Sequence, residues 1–288
     1  MPDNDRVVTE TMMPVNGIEL CVSTFGEPVE PALLLIAGAA SSMDWWDDEF
    51  CRRLAAGGRF VIRYDHRDTG RSTSFPAGDP PYSDVDLAHD ALGVLDAVGV
   101  HRAHLVGLSM GGMLAQRIAV ERPHRVLSLT LMSTSTVPPA YPIDGPPAGA
   151  DQQQPDWTDR RSAVDGLVAD TRRLGGPFTA DIPHLRRVAE RVYDRTQDMA
   201  ASQTNHYGCA GGPPVRDRLC EITAPTLILQ GTLDPVFPPR HAEALCAEIP
   251  GARLVWLDGV GHEFPPTAVW SQVIDEITGQ TGRRTQPA

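Results

Sequence analysis

No apolar run in this sequence is long enough to cross a bilayer. The longest, ALLLIAGAA from Ala32 to Ala40, is less than half of the ~20 residues that a spanning helix needs. The opening stretch MPDNDRVVTETMMPVNG has neither a basic segment nor an apolar core, so no signal peptide is visible. Positive charge is also short: 25 Lys plus Arg stand against 37 Asp plus Glu, for a net charge of −12. A chain this acidic is not drawn to nucleic acid or to anionic membrane by its charge. The five cysteines (Cys21, Cys51, Cys209, Cys220, Cys246) form no C-x-x-C pair, which excludes a zinc ribbon or a dithiol centre of that kind. Their odd number fits a reducing compartment, and they read most simply as core fillers. The expectation is a cytoplasmic globular protein whose partner is a small molecule, with its oligomeric state open. At 288 residues it has room for one large domain or two small ones.

What is present is a regular alternation. Val7 to Met13 and Ile18 to Thr24 read as two strands around Asn16-Gly17, a strong hairpin signal. Six short apolar runs follow: ALLLIAG, RFVIRYD, AHLVGL, VLSLTLM, PTLILQG and ARLVWLDG, each suited to a strand buried on both faces. Helical patterns lie between them, in DWWDDEFCRRLAA, SDVDLAHDALGVLDAVG, MLAQRIAVERP, PRHAEALCAEIP and TAVWSQVIDEITGQ. In the second of these, Leu87, Ala91, Leu95 and Val98 share a face and Ser83 stands as N-cap. The expected fold class is α/β: a mostly parallel sheet flanked by helices, with an antiparallel edge.

One segment breaks the alternation. Residues 137–218 hold no clear buried strand. They open as a Pro-, Gly- and Gln-rich loop and continue as helical material in RRSAVDGLVADTRRL and HLRRVAERVYDRTQDMAASQ. This predicts a mainly helical cap over 137–218, inserted between core segments 1–136 and 219–288. The tail GQTGRRTQPA is expected to fray.

In open parallel sheets, ligands gather at the carboxyl ends of the strands. After AHLVGL comes Ser109, after PTLILQGT comes Asp234, and after ARLVWLDGVG comes His262. A serine hydroxyl is a poor nucleophile until a base takes its proton. The base in turn needs a partner that fixes its tautomer and steadies the imidazolium. Ser109, His262 and Asp234 supply those three roles, in the chain order Ser–Asp–His. Gly107 and Gly111 allow the strand to turn sharply into a helix. The turn frees the Met110 N–H to meet a developing oxyanion, and the Ala39 N–H in the loop IAGAASSMDWW is the second donor. No metal or cofactor is needed for this chemistry.

Other residues carry two readings. Trp45 and Trp46 either line a pocket beside the oxyanion loop, or one packs and the other is exposed on the following helix. Asn205, His206 and Tyr207 either face substrate late in the cap or lie at the surface. DHRDTGRS, residues 65–72, matches no metal-ligand spacing. It reads as a structural loop, with Asp65 and Arg67 in local ion pairs and Gly70 in a turn. Met110 and Met113 are expected to pack.

GLSMGG, GTLDPVFP and GVGHEFP resemble the α/β-hydrolase superfamily over nearly the whole chain. RYDHRDTGRS and the AG oxyanion loop narrow the resemblance to aclacinomycin methylesterase and related carbomethoxy esterases of anthracycline biosynthesis. The resemblance implies hydrolysis of a methyl ester on a polyketide aglycone, giving an acid able to lose carbon dioxide. It assigns the triad to Ser109, Asp234 and His262, and the oxyanion donors to Ala39 and Met110. Two departures stand out: Ala37-Gly38 replaces a common His-Gly, and Ala39 replaces a glycine frequent in the anthracycline esterases. Three rivals share the pattern: a carbon–carbon bond hydrolase, a general small-ester esterase, and a ligand-binding protein that keeps the triad without using it.

Overall fold

Eight strands join one sheet in the computed structural model, which describes residues 9–137, 139 and 155–282. They are β1 (Glu10–Val15), β2 (Ile18–Phe25), β3 (Ala32–Ile36), β4 (Phe60–Tyr64), β5 (Ala103–Leu108), β6 (Val126–Met132), β7 (Thr226–Gly231) and β8 (Arg253–Leu257). Their order is β1-β2-β4-β3-β5-β6-β7-β8. β1 pairs antiparallel with β2 across Asn16 and Gly17, both at positive φ as a tight hairpin turn requires, and β2 joins β4 antiparallel. From β4 to β8 every pairing is parallel. β3, β4, β5 and β7 are buried along their whole length, which explains why each reads as an unbroken apolar run.

Helices cover both faces. On one side lie α2 (Asp84–Ala97), α3 (Met110–Glu121) and α7 (Pro239–Glu248). They bury Leu87, Ala91, Leu95, Leu114, Ile118 and Leu245 against the sheet. On the other side α1 (Asp48–Ala56) and α8 (Trp270–Gly282) bury Phe50, Leu54, Trp270, Val273 and Ile277. Ser83 caps α2 in a full capping box with Asp86. Several expected boundaries move: β1 runs to Val15 rather than ending at Met13, and Val7 and Val8 lie outside the described residues. DWWDDEFCRRLAA is not one helix: a short 3₁₀ turn at Met43–Trp45 precedes α1, which starts where the Asp47 carboxylate accepts the Glu49 N–H. Gly279 to Gly282 complete α8 rather than fray, and the tail beyond them lies outside the described residues.

Between β6 and β7 come α4 (Arg160–Leu174), α5 (Ile182–Arg195) and α6 (Met199–Gly208). Each starts at an aspartate, Asp159, Asp181 or Asp198, that accepts an N–H of its own first turn. The Asp198 cap splits the second expected helix in two. These helices have a small core of their own, built from Val164, Leu167, Leu185, Ala189, Val192 and Met199. Most of the Pro-, Gly- and Gln-rich opening of this segment lies outside the described residues.

The loop after β4 also departs from expectation. Gly70 makes the turn at φ +52°, but the ion pairs are long-range rather than local. Arg67 grips Asp90 of α2 through two nitrogens, one at 2.9 Å, and Asp65 meets Arg195 of α5 at 2.8 Å. Arg195 also pairs with Glu10 and Asp44, which fastens α5 to the core. Both members of the Arg67–Asp90 pair are buried, so removing one leaves the other charge uncompensated. Asp90→Ala is therefore expected to destabilise the fold by about 3–5 kcal/mol, read from the denaturant midpoint. The double change Arg67→Met with Asp90→Leu should recover part of that loss; a double variant no more stable than Asp90→Ala contradicts the assignment.

Candidate active site

Ser109 is the first residue past β5 and the N-cap of α3, at φ +54° and ψ −119°. Its backbone is pinned from both sides. Its N–H donates to Met132 O at 2.9 Å, and its carbonyl accepts the Thr134 hydroxyl at 2.7 Å and the Gly112 N–H at 2.9 Å. The turn is so tight that a Cβ at Gly107 would lie 2.2 Å from Gly111 O, and one at Gly111 would lie 2.2 Å from Ile36 O. Only glycine fits at either place.

Asp234 follows β7 in a turn where its Oδ1 accepts the Val236 and Phe237 N–H groups at 2.9 and 2.8 Å. Its Oδ2 accepts the buried Gln230 amide and meets His262 Nδ1 at 2.9 Å. Burial pushes its carboxyl up. The hydrogen bond and charge of His262, with the Phe237 and Val236 N–H groups, outweigh burial and leave it below the usual carboxylate range. An ionised carboxylate at Nδ1 holds the proton on that nitrogen. His262 Nε2 is then free to accept, and it lies 3.0 Å from Ser109 Oγ. The three residues read from the sequence therefore meet in one hydrogen-bonded chain.

The His262 loop is bonded to the helical insertion. The His262 N–H donates to Leu174 O at 2.7 Å, and Glu263 accepts the Gly176 N–H at 3.0 Å. Burial raises the Glu263 carboxyl above its ordinary value, against the Thr179 hydroxyl and the Gly261 and Gly176 N–H groups. Beside Ser109 runs the loop after β3. A Cβ on Gly38 would lie 3.4 Å from Ser109 Cβ, so this backbone passes directly against the serine. Gly38, Ala39, Ser109 and Met110 all line one cavity of about 1160 Å³ between the sheet and the insertion. Among the described residues, nothing accepts a hydrogen bond from the Ala39 or the Met110 N–H.

Six aromatic side chains, Trp45, Trp157, Tyr207, Phe237, Phe264 and Trp270, line that cavity beside aliphatic residues such as Leu108, Leu167 and Leu185. Trp45 stacks on Phe264 at 6.3 Å between centroids. Trp46, the other tryptophan considered for the pocket, does not line it. At 1% exposure it is packed into the core between Phe50 and Phe264, because the chain turns at this residue into α1. Tyr207 stands at the rim, 68% exposed. His206 reaches the wall, but both of its nitrogens are occupied: Nδ1 by the Ala40 N–H at 3.0 Å and Nε2 by Arg67 O at 2.9 Å. Asn205 points elsewhere, buried against Asp68, Pro76 and Gly78. Met110 and Met113 both face the cavity. Cys21 and Cys51 are buried as core residues, whereas Cys220 is exposed. Gln203 and Glu263, each bonded to a loop of the site, were not singled out in the sequence. For Gln203 the available signal was its spacing of three from His206 on one helix.

Among the described residues, no group of three or more His, Cys, Asp or Glu is placed to hold a metal ion, and no helix is long and apolar enough to cross a membrane.

The chain is similar to known proteins over most of its length. The family model described as the alpha/beta hydrolase fold matches residues 31–268. The rhodomycin D methylesterase DauP of Streptomyces sp. (strain C5) is 37% identical over 278 residues, spanning 88% of this chain and 92% of its own. The rhodomycin D methylesterase DnrP of Streptomyces peucetius is 36% identical over the same length, with the same coverage. The crystal structure of a hydrolase from Pseudomonas aeruginosa PA01 superposes with a TM-score of 0.73 at 26% identity, covering 97% of this chain and 100% of its own. With its sheet order, its tight turn at Ser109 and these matches over most of its length, the chain belongs to the α/β-hydrolase fold family.

Proposed function

We propose that this protein is a serine carboxylic-ester hydrolase, and specifically a methylesterase that removes the methyl group from the carbomethoxy ester of an anthracycline or a similar aromatic polyketide. One observation carries the reading: the Ser109–His262–Asp234 chain opens into a cavity of about 1160 Å³ lined in part by six aromatic side chains. That space is larger than most small-ligand sites and suits a fused-ring acyl part with only methanol to expel. The names of the two Streptomyces relatives point the same way.

In this mechanism His262 Nε2 takes the Ser109 hydroxyl proton while Oγ attacks the ester carbonyl. The Ala39 and Met110 N–H groups receive the oxyanion, each such donor being worth about 3 kcal/mol. The tetrahedral intermediate collapses, the carbonyl–methoxy bond breaks, and His262 returns the proton to leaving methoxide, releasing methanol. Water, deprotonated by the same His262, then attacks the acyl-enzyme and releases the free acid and Ser109. Asp234 stays ionised throughout and steadies the imidazolium. The helical insertion, proposed as a cap over 137–218, forms the outer wall of the cavity and sets which acyl group fits. Cysteines that form no disulfide suit work in the reducing cytoplasm.

Mass spectrometry after incubation with a methyl-ester anthracycline, beside a simple aryl acetate, tests the substrate. Loss of the ester methyl from the anthracycline at the higher kcat/KM is expected. A clear preference for the acetate supports a general esterase instead, and a cleaved carbon skeleton supports a carbon–carbon bond hydrolase. Ser109→Ala should lower kcat by about a thousandfold or more and abolish labelling by a serine-directed phosphonate. Retained turnover without labelling contradicts the nucleophile. The acid side of the pH profile has a definite sign. Because Asp234 is held below the usual carboxylate range, it keeps its charge as the pH falls, and turnover declines when His262 takes up a proton. A kcat/KM profile that stays flat into strongly acidic solution is the contrary result.

A further inference from the structure

We infer that His206 is a positioning residue for the oxyanion loop: from α6 of the insertion it grips Ala40 and thereby holds the Ala39 N–H in place. This rests on the hydrolase reading above and goes beyond it, because it makes the insertion part of the catalytic apparatus as well as a wall.

The grip has two points. His206 Nδ1 accepts the Ala40 N–H at 3.0 Å, and Gln203 Nε2 donates to Ala40 O at 3.2 Å. The two side chains stand three apart on α6 and so share a face. Ala40 needs holding. It is a non-glycine residue at φ +57°, in the left-handed region that a Cβ disfavours. The peptide between Ala39 and Ala40 is then fixed at both ends, its N–H by His206 and its oxygen by the Ser41 hydroxyl at 3.1 Å. At the other end of the loop, His66 donates from Nε2 to Ala37 O at 3.1 Å. Two imidazoles thus bracket the backbone that carries Gly38 and Ala39.

The tautomer of His206 follows from its partners. Arg67 O is a carbonyl and only accepts, so Nε2 carries the proton and Nδ1 presents its lone pair to Ala40. Burial pushes this imidazole down toward its neutral form, which keeps that lone pair available; the Arg67 carbonyl and Asp68 oppose it less strongly. With both nitrogens engaged, neither is left for substrate. His206 therefore acts on the reaction through Ala40 and not by touching the ester.

Three substitutions separate this role from packing and from substrate contact. His206→Asn places its amide oxygen where Nδ1 stands, keeping the acceptor for Ala40. His206→Gln carries its amide out to the Nε2 position, reaching Arg67 O and leaving the Ala40 N–H without a partner. His206→Ala removes both bonds. With an aryl acetate as probe, kcat should fall about tenfold or more in the Ala and Gln variants with KM within about twofold, and Asn should recover most of the loss. Amide exchange at Ala40 should quicken in Ala and Gln and much less in Asn. Equal losses in Asn and Gln, a raised KM at unchanged kcat, or unaltered exchange at Ala40 would each overturn the inference. Should the Ala variant not fold, the Asn–Gln comparison decides alone. Failure of the hydrolase reading shows separately, as wild-type protein that neither hydrolyses the acetate nor takes up a phosphonate. That result would overturn the catalytic half of the inference too, while exchange at Ala40 still reads the grip itself.

Discussion

Ser109 holds a backbone conformation, φ +54° and ψ −119°, that an L-residue adopts only under constraint, at a cost of about 1–3 kcal/mol. The geometry of the site depends on that constraint. It exists because β5 ends in a glycine-flanked turn against the first turn of α3, because Met132 O and the Thr134 hydroxyl fix the serine backbone, and because the backbone of β3 passes within contact of Gly111. Relaxing the turn would move Oγ away from His262 Nε2 and the Met110 N–H away from the cavity. The strain is carried by a parallel sheet whose central strands are buried on both faces. Such a support delivers residues past the ends of β5 and β7 to within 3.0 Å of His262, which follows β8.

The helical insertion is bonded to that frame at several points that differ in kind. Leu174 O holds the His262 N–H, Glu263 holds Gly176, and Arg195 joins Glu10, Asp44 and Asp65. The last of these is a dense buried charge cluster in which burial, opposed by Arg195, raises the Asp65 carboxyl to about 6. Buried clusters of this kind add little net stability but fix geometry, since any displacement strands a charge. Here they tie α5 to the loop after β4 and to the turn that precedes α1. The cavity is bounded by two packed layers and sized by side chains from both.

Much of this was legible in the sequence because it rests on local pattern. Strands such as Leu33–Leu35 and Leu227–Leu229 read as apolar runs since both their faces are covered, and the Ser–Asp–His order put Ser109, Asp234 and His262 each just past a strand end. What escaped depends on partners far away in the chain. Asp65 and Arg67 looked like local ion pairs, yet their partners are 130 and 23 residues distant. Trp45 and Trp46 were equivalent until the cap at Asp47 put one on the cavity wall and the other in the core. His206 was noticed as a pocket residue, but its bond to Ala40 spans 166 positions and could not be read from composition or periodicity.

The central claim is that an ester carbonyl passes through a covalent bond to Ser109 and is released by water. Turnover of the carbomethoxy substrate in heavy-oxygen water tests this most directly. The account predicts that the heavy oxygen appears in the carboxylic acid and that methanol leaves unlabelled, with the acyl group trapped on the peptide carrying Ser109 when the reaction is quenched early. Label in the methanol, or turnover with no acylated Ser109 peptide at any time, would contradict it.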